Sequence, residues 1–144
     1  MEQSYNIWKP DYRITEPFGG ISVFSLGNGH TILLLHGSDN DLKLEFSQIH
    51  AMTIHEEFAH PHVDYNENIP AIPNNNGGYP LLVVENSEWI KSFTDSRLQG
   101  DGRIPVHYQF LSMSYFVDVL SYEPPISEWV KSNDYDSVFS AIEP

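Results

Sequence analysis

The chain has 144 residues, 40% of them hydrophobic and none of them cysteine, and its 20 acidic and 7 basic side chains give a formal net charge of −13. This length fits one hydrophobic core, so residues 1–144 are predicted to form a single domain. The charge disfavours nucleic acids and anionic lipid surfaces as partners, and the lack of cysteine excludes disulfides, thiolate metal sites and cysteine nucleophiles.

The compartment expected from the sequence is the cytoplasm. The first five residues, Met1 to Tyr5, lack the charged and apolar regions of a signal peptide. No apolar run approaches the ~18 residues of a membrane span, so no membrane association is expected.

Residues 20–47 are predicted to form a three-stranded antiparallel meander. Two apolar runs, residues 21–26 and 31–35, flank Asn28-Gly29, a pair typical of tight hairpin turns. Residues 41–46 alternate strictly, which predicts one apolar face and one wet face. The alternation places Leu42, Leu44 and Phe46 in the core and exposes Asp41, Lys43 and Glu45.

The middle of the chain is less regular. Residues 48–63 favour a strand over a short helix, and residues 66–78, rich in proline, asparagine and glycine, favour a long loop. Residues 79–84 are typical of a buried strand, after which Asn86 or Ser87 can cap a short helix.

Residues 106–111 and 115–122 are predicted to pair as strands, and Pro124-Pro125 is predicted to end the second one. Asp118 lies in this strand on the face of Phe116 and Leu120, so if buried it needs a partner. That partner is either within the chain, as a salt bridge or hydrogen bond, or on another protein.

A C-terminal helix over residues 133–142, with Asn133 as its cap, has the clearest helical periodicity. The predicted fold class is therefore α+β: mainly antiparallel sheet of about six strands, with two or three short helices including the C-terminal one.

Four histidines fall within thirteen residues, which raises the hypothesis of a metal site. His55 and His60 are five positions apart and cannot chelate one ion from a single helical face, so a zinc-protease motif is excluded. His60, His62 and Glu67 resemble half of a cupin metal site. A cupin would have glycine where Ile54 stands and a second motif, which is not found. We therefore expect no metal and no cofactor, and keep a cupin-like enzyme or sensor as the alternative.

No motif for nucleophilic catalysis or nucleotide binding is present. A G-x-S-x-G elbow is missing, and the glycine pairs at 27–29 and 100–102 lack the strand, loop and helix that would make them phosphate cradles. The sequence therefore predicts that the protein is not an enzyme.

Tyrosines flanked by carboxylates suggest a surface that binds a cationic protein, because the ring supplies contact area and the carboxylates pair with lysine or arginine. Asp64, Tyr65 and Glu67, in the long loop and its approach, form the main candidate surface. Further candidate contacts are Asp39, Asp41 and Glu123.

The meander over residues 20–46, the strand pair within residues 106–125 and the acidic, cysteine-free, single-domain format resemble bacterial immunity proteins of polymorphic or contact-dependent toxin systems. The resemblance implies a protein that neutralises a cognate basic toxin, such as a nuclease, by occluding its active site without chemistry of its own. The alternatives are a metal-binding, cupin-like enzyme or sensor and an accessory protein with no toxin partner.

Overall fold

The computed structural model describes residues 3–10, 14, 17–56, 80–93 and 103–132. Within these ranges the chain forms nine strands and one short helix. In chain order they are β1 (Ser4–Ile7), β2 (Gly20–Ser25), β3 (Thr31–His36), β4 (Asn40–Phe46), β5 (Ala51–Glu56), β6 (Leu81–Glu85), α1 (Glu88–Lys91), β7 (Val106–Leu111), β8 (Tyr115–Ser121) and β9 (Ile126–Lys131).

The strands form two antiparallel sheets, one of five strands in the order β1-β6-β7-β8-β5 and one of four in the order β2-β3-β4-β9. The predicted α+β class is wrong, because strands make up 59% of the described residues and helix only 4%. Two strands, β1 and β9, were missing from the prediction. The predicted C-terminal helix lies outside the described residues, as do the loop at 66–78 and the turn at 100–102.

The hairpin prediction is confirmed. Ser25 pairs with Thr31, and the connection between them carries positive φ angles at Gly27 (95°), Asn28 (55°) and Gly29 (80°). A side chain at Gly29 would also meet the backbone of Ile49 at 3.1 Å. Glycine is therefore required there both by conformation and by close packing.

The predicted exposure of the polar face of β4 is wrong, because β9 pairs with this strand. Pro124-Pro125 follows the end of β8, but the chain then enters β9, whose Trp129 pairs with Leu42. β4 is thus flanked on both sides. Leu42, Leu44 and Phe46 are buried as predicted. The predicted exposure of Asp41 and Lys43 is wrong, since they are only 2% and 6% exposed, and Glu45 is partly buried.

The core lies between the two sheets, and each sheet contributes both aromatic and aliphatic side chains to it. Phe46 of β4 packs against Tyr108 and Phe110 of β7, with ring centroids 5.7 and 6.2 Å apart. Trp8, just after β1, contacts the same two rings. The fully buried aliphatic members include Leu33, Leu35, Leu42, Leu44, Leu81 and Val119. The fold is a β-sandwich.

Ser87, one of the two predicted caps, is the N-cap of α1, and its Oγ accepts a hydrogen bond from the Ile90 N–H at 3.1 Å. The strand favoured for residues 48–63 is confirmed over β5. No helix in the described ranges is long and apolar enough to cross a membrane.

We expect Phe46→Ala to lower the free energy of unfolding by about 3–5 kcal/mol, because it opens a cavity where the rings of both sheets meet. Ile126→Ala, at a side chain that is 72% exposed, should change it by less than about 0.5 kcal/mol. Urea denaturation measures both. Equal effects would show that Phe46 is not at the centre of the core.

Candidate functional site

A hydrogen-bonded line of serine, histidine and aspartate lies buried against the five-stranded sheet. Ser87 Oγ is 2.7 Å from Nδ1 of His107, and Nε2 of His107 is 2.6 Å from Oδ1 of Asp118. Gln109 donates to the same carboxylate oxygen at 3.0 Å. The exposures of Ser87, His107 and Asp118 are 4%, 2% and 1%, so the line is closed to large molecules.

The proton positions follow from the bonding partners. Ser87 Oγ already accepts from the Ile90 N–H, so its own hydrogen is available to Nδ1 of His107. Nε2–H then donates to Asp118. Trp89 packs edge-on against the histidine ring at 5.3 Å. Asp118 thus has its partners within the chain. This supports a structural role for Asp118 rather than contact with another protein.

A second line of the same three residue types lies on the four-stranded sheet, on the face turned away from the core. Ser22 Oγ is 2.6 Å from Nε2 of His36, and Nδ1 of His36 is 3.0 Å from Oδ2 of Asp41. Ser22 pairs with Leu34 and Gly20 with His36, so Ser22 and His36 are diagonal neighbours on one face.

The second carboxylate oxygen of Asp41 also accepts hydrogen bonds. Its Oδ1 accepts from the Gly37 N–H at 3.2 Å and from the Ser132 hydroxyl at 2.9 Å. The Asp41 side chain is 3% exposed, whereas that of His36 is 30% exposed. The line therefore runs from a buried carboxylate to a histidine that solvent reaches.

Neither line was predicted, because their members are separated in sequence. A usable signal existed for Ser22 and His36: the register set by the Asn28-Gly29 turn makes them diagonal neighbours. The pairing of His36 with Asp41 depends in addition on the path of the next turn.

Apolar and charged side chains share the rest of the same face. Ile32, Leu34 and Val130 form a buried apolar cluster there, with Phe24 and Leu26 packed against it. The charged side chains lie beside this cluster. Lys43 Nζ lies 3.5 Å from Glu45 and 4.0 Å from Glu128, and His30 Nε2 lies 2.6 Å from Glu45. Burial raises the pKa of Glu45, but the hydrogen bond with His30 and the charge of Lys43 outweigh it and hold that pKa below its ordinary value.

A polar pocket of about 230 Å³ lies near the C-terminal ends of β4 and β8. In it, the guanidinium of Arg103 sits 4.7 Å from the ring centroid of Tyr122, and Glu123 is exposed beside them. Burial and, as the smaller cause, the negative charge of Glu123 raise the pKa of Tyr108. The lining residues are Ser47, Gln48, Ile49, His50, Arg103, Tyr122 and Glu123.

The predicted partner contacts that belong to the described residues do not lie close together. Asp39 is exposed in the turn before β4, and Glu123 lines the pocket at the other end of that strand. The ends of a seven-residue strand are about 20 Å apart. Asp41 is buried in its hydrogen bonds. Asp64, Tyr65 and Glu67 lie outside the described residues.

The metal candidates His60, His62 and Glu67 also lie outside the described residues. Of the neighbouring histidines, His50 packs against Tyr122 and Phe93, with ring centroids 5.8 and 5.9 Å away. Among the residues that the structure describes, no group of three or more potential ligands could hold a metal ion.

No protein-family model matches the chain, and neither a curated protein nor a solved structure matches it significantly.

We expect Asp118→Ala to lower the free energy of unfolding by about 3–5 kcal/mol, because it leaves His107 and Gln109 buried with donors that lose their acceptor. Asp39→Ala, at an exposed aspartate, should stay within about 0.5 kcal/mol. The double variant Asp118→Ala/His107→Ala should cost less than the sum of the single changes, since the pair acts as a unit. Additive costs by chemical denaturation would contradict the buried pair.

Proposed function

We propose that the protein is an immunity-type inhibitor that binds a basic protein toxin, such as a nuclease, and occludes its active site. The mechanism is stoichiometric and needs no chemistry from the inhibitor. Binding takes place in the cytoplasm, the compartment expected from the sequence.

The observation that carries this proposal is the excess of carboxylates over cations, which gives the formal net charge of −13. Several cations have partners within the chain: Lys43 is buried between two glutamates, Lys91 lies 3.6 Å from Glu88, and Arg103 rests on Tyr122. Most of the described carboxylates are exposed. Those exposed among the described residues are Asp39, Glu56, Glu85, Glu88, Glu123 and Glu128.

This distribution favours a cationic partner. The net charge of −13 attracts basic proteins over long distances and speeds their encounter, while exposed carboxylates such as Asp39 and Glu123 can pair with lysine and arginine. Glu45, kept ionised by His30 and Lys43, adds to the negative potential of one face.

The pocket at Glu123 is the described feature best suited to receive a basic side chain. It joins an exposed carboxylate to the tyrosine ring on which Arg103 already lies. A lysine or arginine of the partner could form an ion pair with Glu123 there, while Arg103 occupies a face of the tyrosine ring. Glu123 therefore remains our strongest described contact, and the loop residues Asp64, Tyr65 and Glu67 remain candidates beside it.

The direct test is co-expression with the product of the adjacent gene in a bacterial host. We expect that product to be basic and to inhibit growth, and growth to recover when this chain is made in at least equal amount. A harmless or acidic product, or recovery at strongly substoichiometric amounts, would contradict the proposal.

We expect Glu123→Lys to slow association with that partner by roughly three- to tenfold at low salt, because it reverses the charge of a rim carboxylate. Glu56→Lys is the matched control: it makes the same charge change at the far end of β5, about 17 Å along the strand from Ala51.

Stopped-flow or surface plasmon resonance measurements at several salt concentrations compare the two variants. The difference between them should shrink as salt screens exposed charges. Equal slowing by both variants would assign the effect to net charge alone and would remove Glu123 from the contact surface.

A further inference from the structure

We propose that Ser22 is an activated nucleophile that accepts the acyl group of small esters, with His36 as its base and Asp41 as the residue that positions His36. This activity is separate from the binding function proposed above and does not depend on it.

The bonding pattern gives each residue its role. Asp41 accepts from Gly37 N–H, the Ser132 hydroxyl and Nδ1 of His36, so the histidine proton is held on Nδ1. The lone pair on Nε2 then faces the Ser22 hydroxyl at 2.6 Å. A nucleophile bonded to a base, with the base oriented by a third group, is the arrangement that activates serine.

Solvent reaches this site through His36, whereas Leu34, the strand partner of Ser22, is fully buried. The ring of His36 is partly exposed, and the position opposite it on β2 is Gly20, which has no side chain. A Cβ at Gly20 would lie 3.9 Å both from Cδ2 of His36 and from Oγ of Ser114. The missing side chain therefore leaves a gap about the size of one methyl group between the histidine and the turn that joins β7 to β8, which restricts the acyl group to a short one such as acetyl.

The buried line at Ser87 is a natural comparison. It has the same residue types at similar distances, but its serine caps α1 and its histidine is 2% exposed. An ester cannot reach Ser87 Oγ without displacing the helix cap. Reactivity should therefore separate the two serines by access alone.

The reaction would proceed in two steps. Ser22 Oγ attacks the ester carbonyl carbon as its proton moves to Nε2 of His36; the bond to the leaving oxygen then breaks, and that oxygen takes the proton. The products are acylated Ser22 and a free alcohol. A water oxygen then attacks the acyl carbon as one of its protons moves to the same nitrogen. The bond between that carbon and Ser22 Oγ breaks, Oγ takes the proton from Nε2, and the free acid leaves.

The test treats the purified full chain with p-nitrophenyl acetate, follows nitrophenol release, and locates the acetyl group by peptide mass spectrometry. We expect one acetyl group per chain, on Ser22. Ser22→Ala should reduce the rate to that of the free ester in buffer, while Ser25→Ala, at an exposed serine of the same strand, should leave it unchanged.

Two further variants separate catalysis from structure. His36→Ala should react about 100-fold more slowly, and added imidazole should restore part of the rate, which it would not do for a histidine that only supports the fold. Asp41→Asn should lower the maximal acylation rate without changing the ester concentration that gives half of it. Circular dichroism checks that each variant is folded.

The proposal is overturned if the wild-type chain reacts no faster than Ser22→Ala, or if the acetyl group is found only on lysines or on Ser87. The same measurement tests the sequence-based expectation that the protein is not an enzyme. Toxin binding by Ser22→Ala should be unchanged, so the two proposals fail independently.

Discussion

The packing of rings and branched side chains between the two sheets is the constraint from which the rest of the structure follows. Phe46 reaches across to Tyr108 and Phe110, and this contact decides which face of β4 and of β7 points inward. Because side chains alternate along a strand, the same contact also determines which residues lie on the opposite face of each strand. Ser22, His36 and Asp41 share a face because their neighbours Ile21, Leu35 and Leu42 belong to the core.

β9 supplies partners for the polar residues on the outer face of the four-stranded sheet. By pairing with β4 it turns a strand that would have had a free edge into an interior one, and it brings Glu128 within 4.0 Å of Lys43 and Ser132 within 2.9 Å of Asp41. A buried lysine or aspartate is costly unless it is paired. These contacts explain how polar residues can occupy an interior strand without destabilising it.

The two serine, histidine and aspartate lines show that residue type and distance do not decide chemistry. In one, the serine caps a helix and every member is buried, so its hydrogen bonds hold α1 against the five-stranded sheet. In the other, the carboxylate is buried while the histidine is 30% exposed. The first is a structural network and the second is a candidate reactive centre. The distinction comes from access to the serine and the histidine.

The sequence by itself determined the local features: the Asn28-Gly29 hairpin, the alternation that buries Leu42, Leu44 and Phe46, the Ser87 cap, and the need of a buried Asp118 for a partner. Each depends on a backbone preference or on a period of two, which short windows contain. The excess of negative charge is equally a property of composition.

Only the tertiary structure decided the class of the fold and the location of the sites. Pairings such as β1 with β6 and β4 with β9 join segments far apart in the chain, and no local pattern specifies them. Asp41 looked exposed because alternation assigns it to the wet face, yet β9 and the turn after His36 bury it. The grouping of Ser22, His36 and Asp41, and the distance of Glu123 from Asp39, follow from strand order and register, which are set by long-range packing.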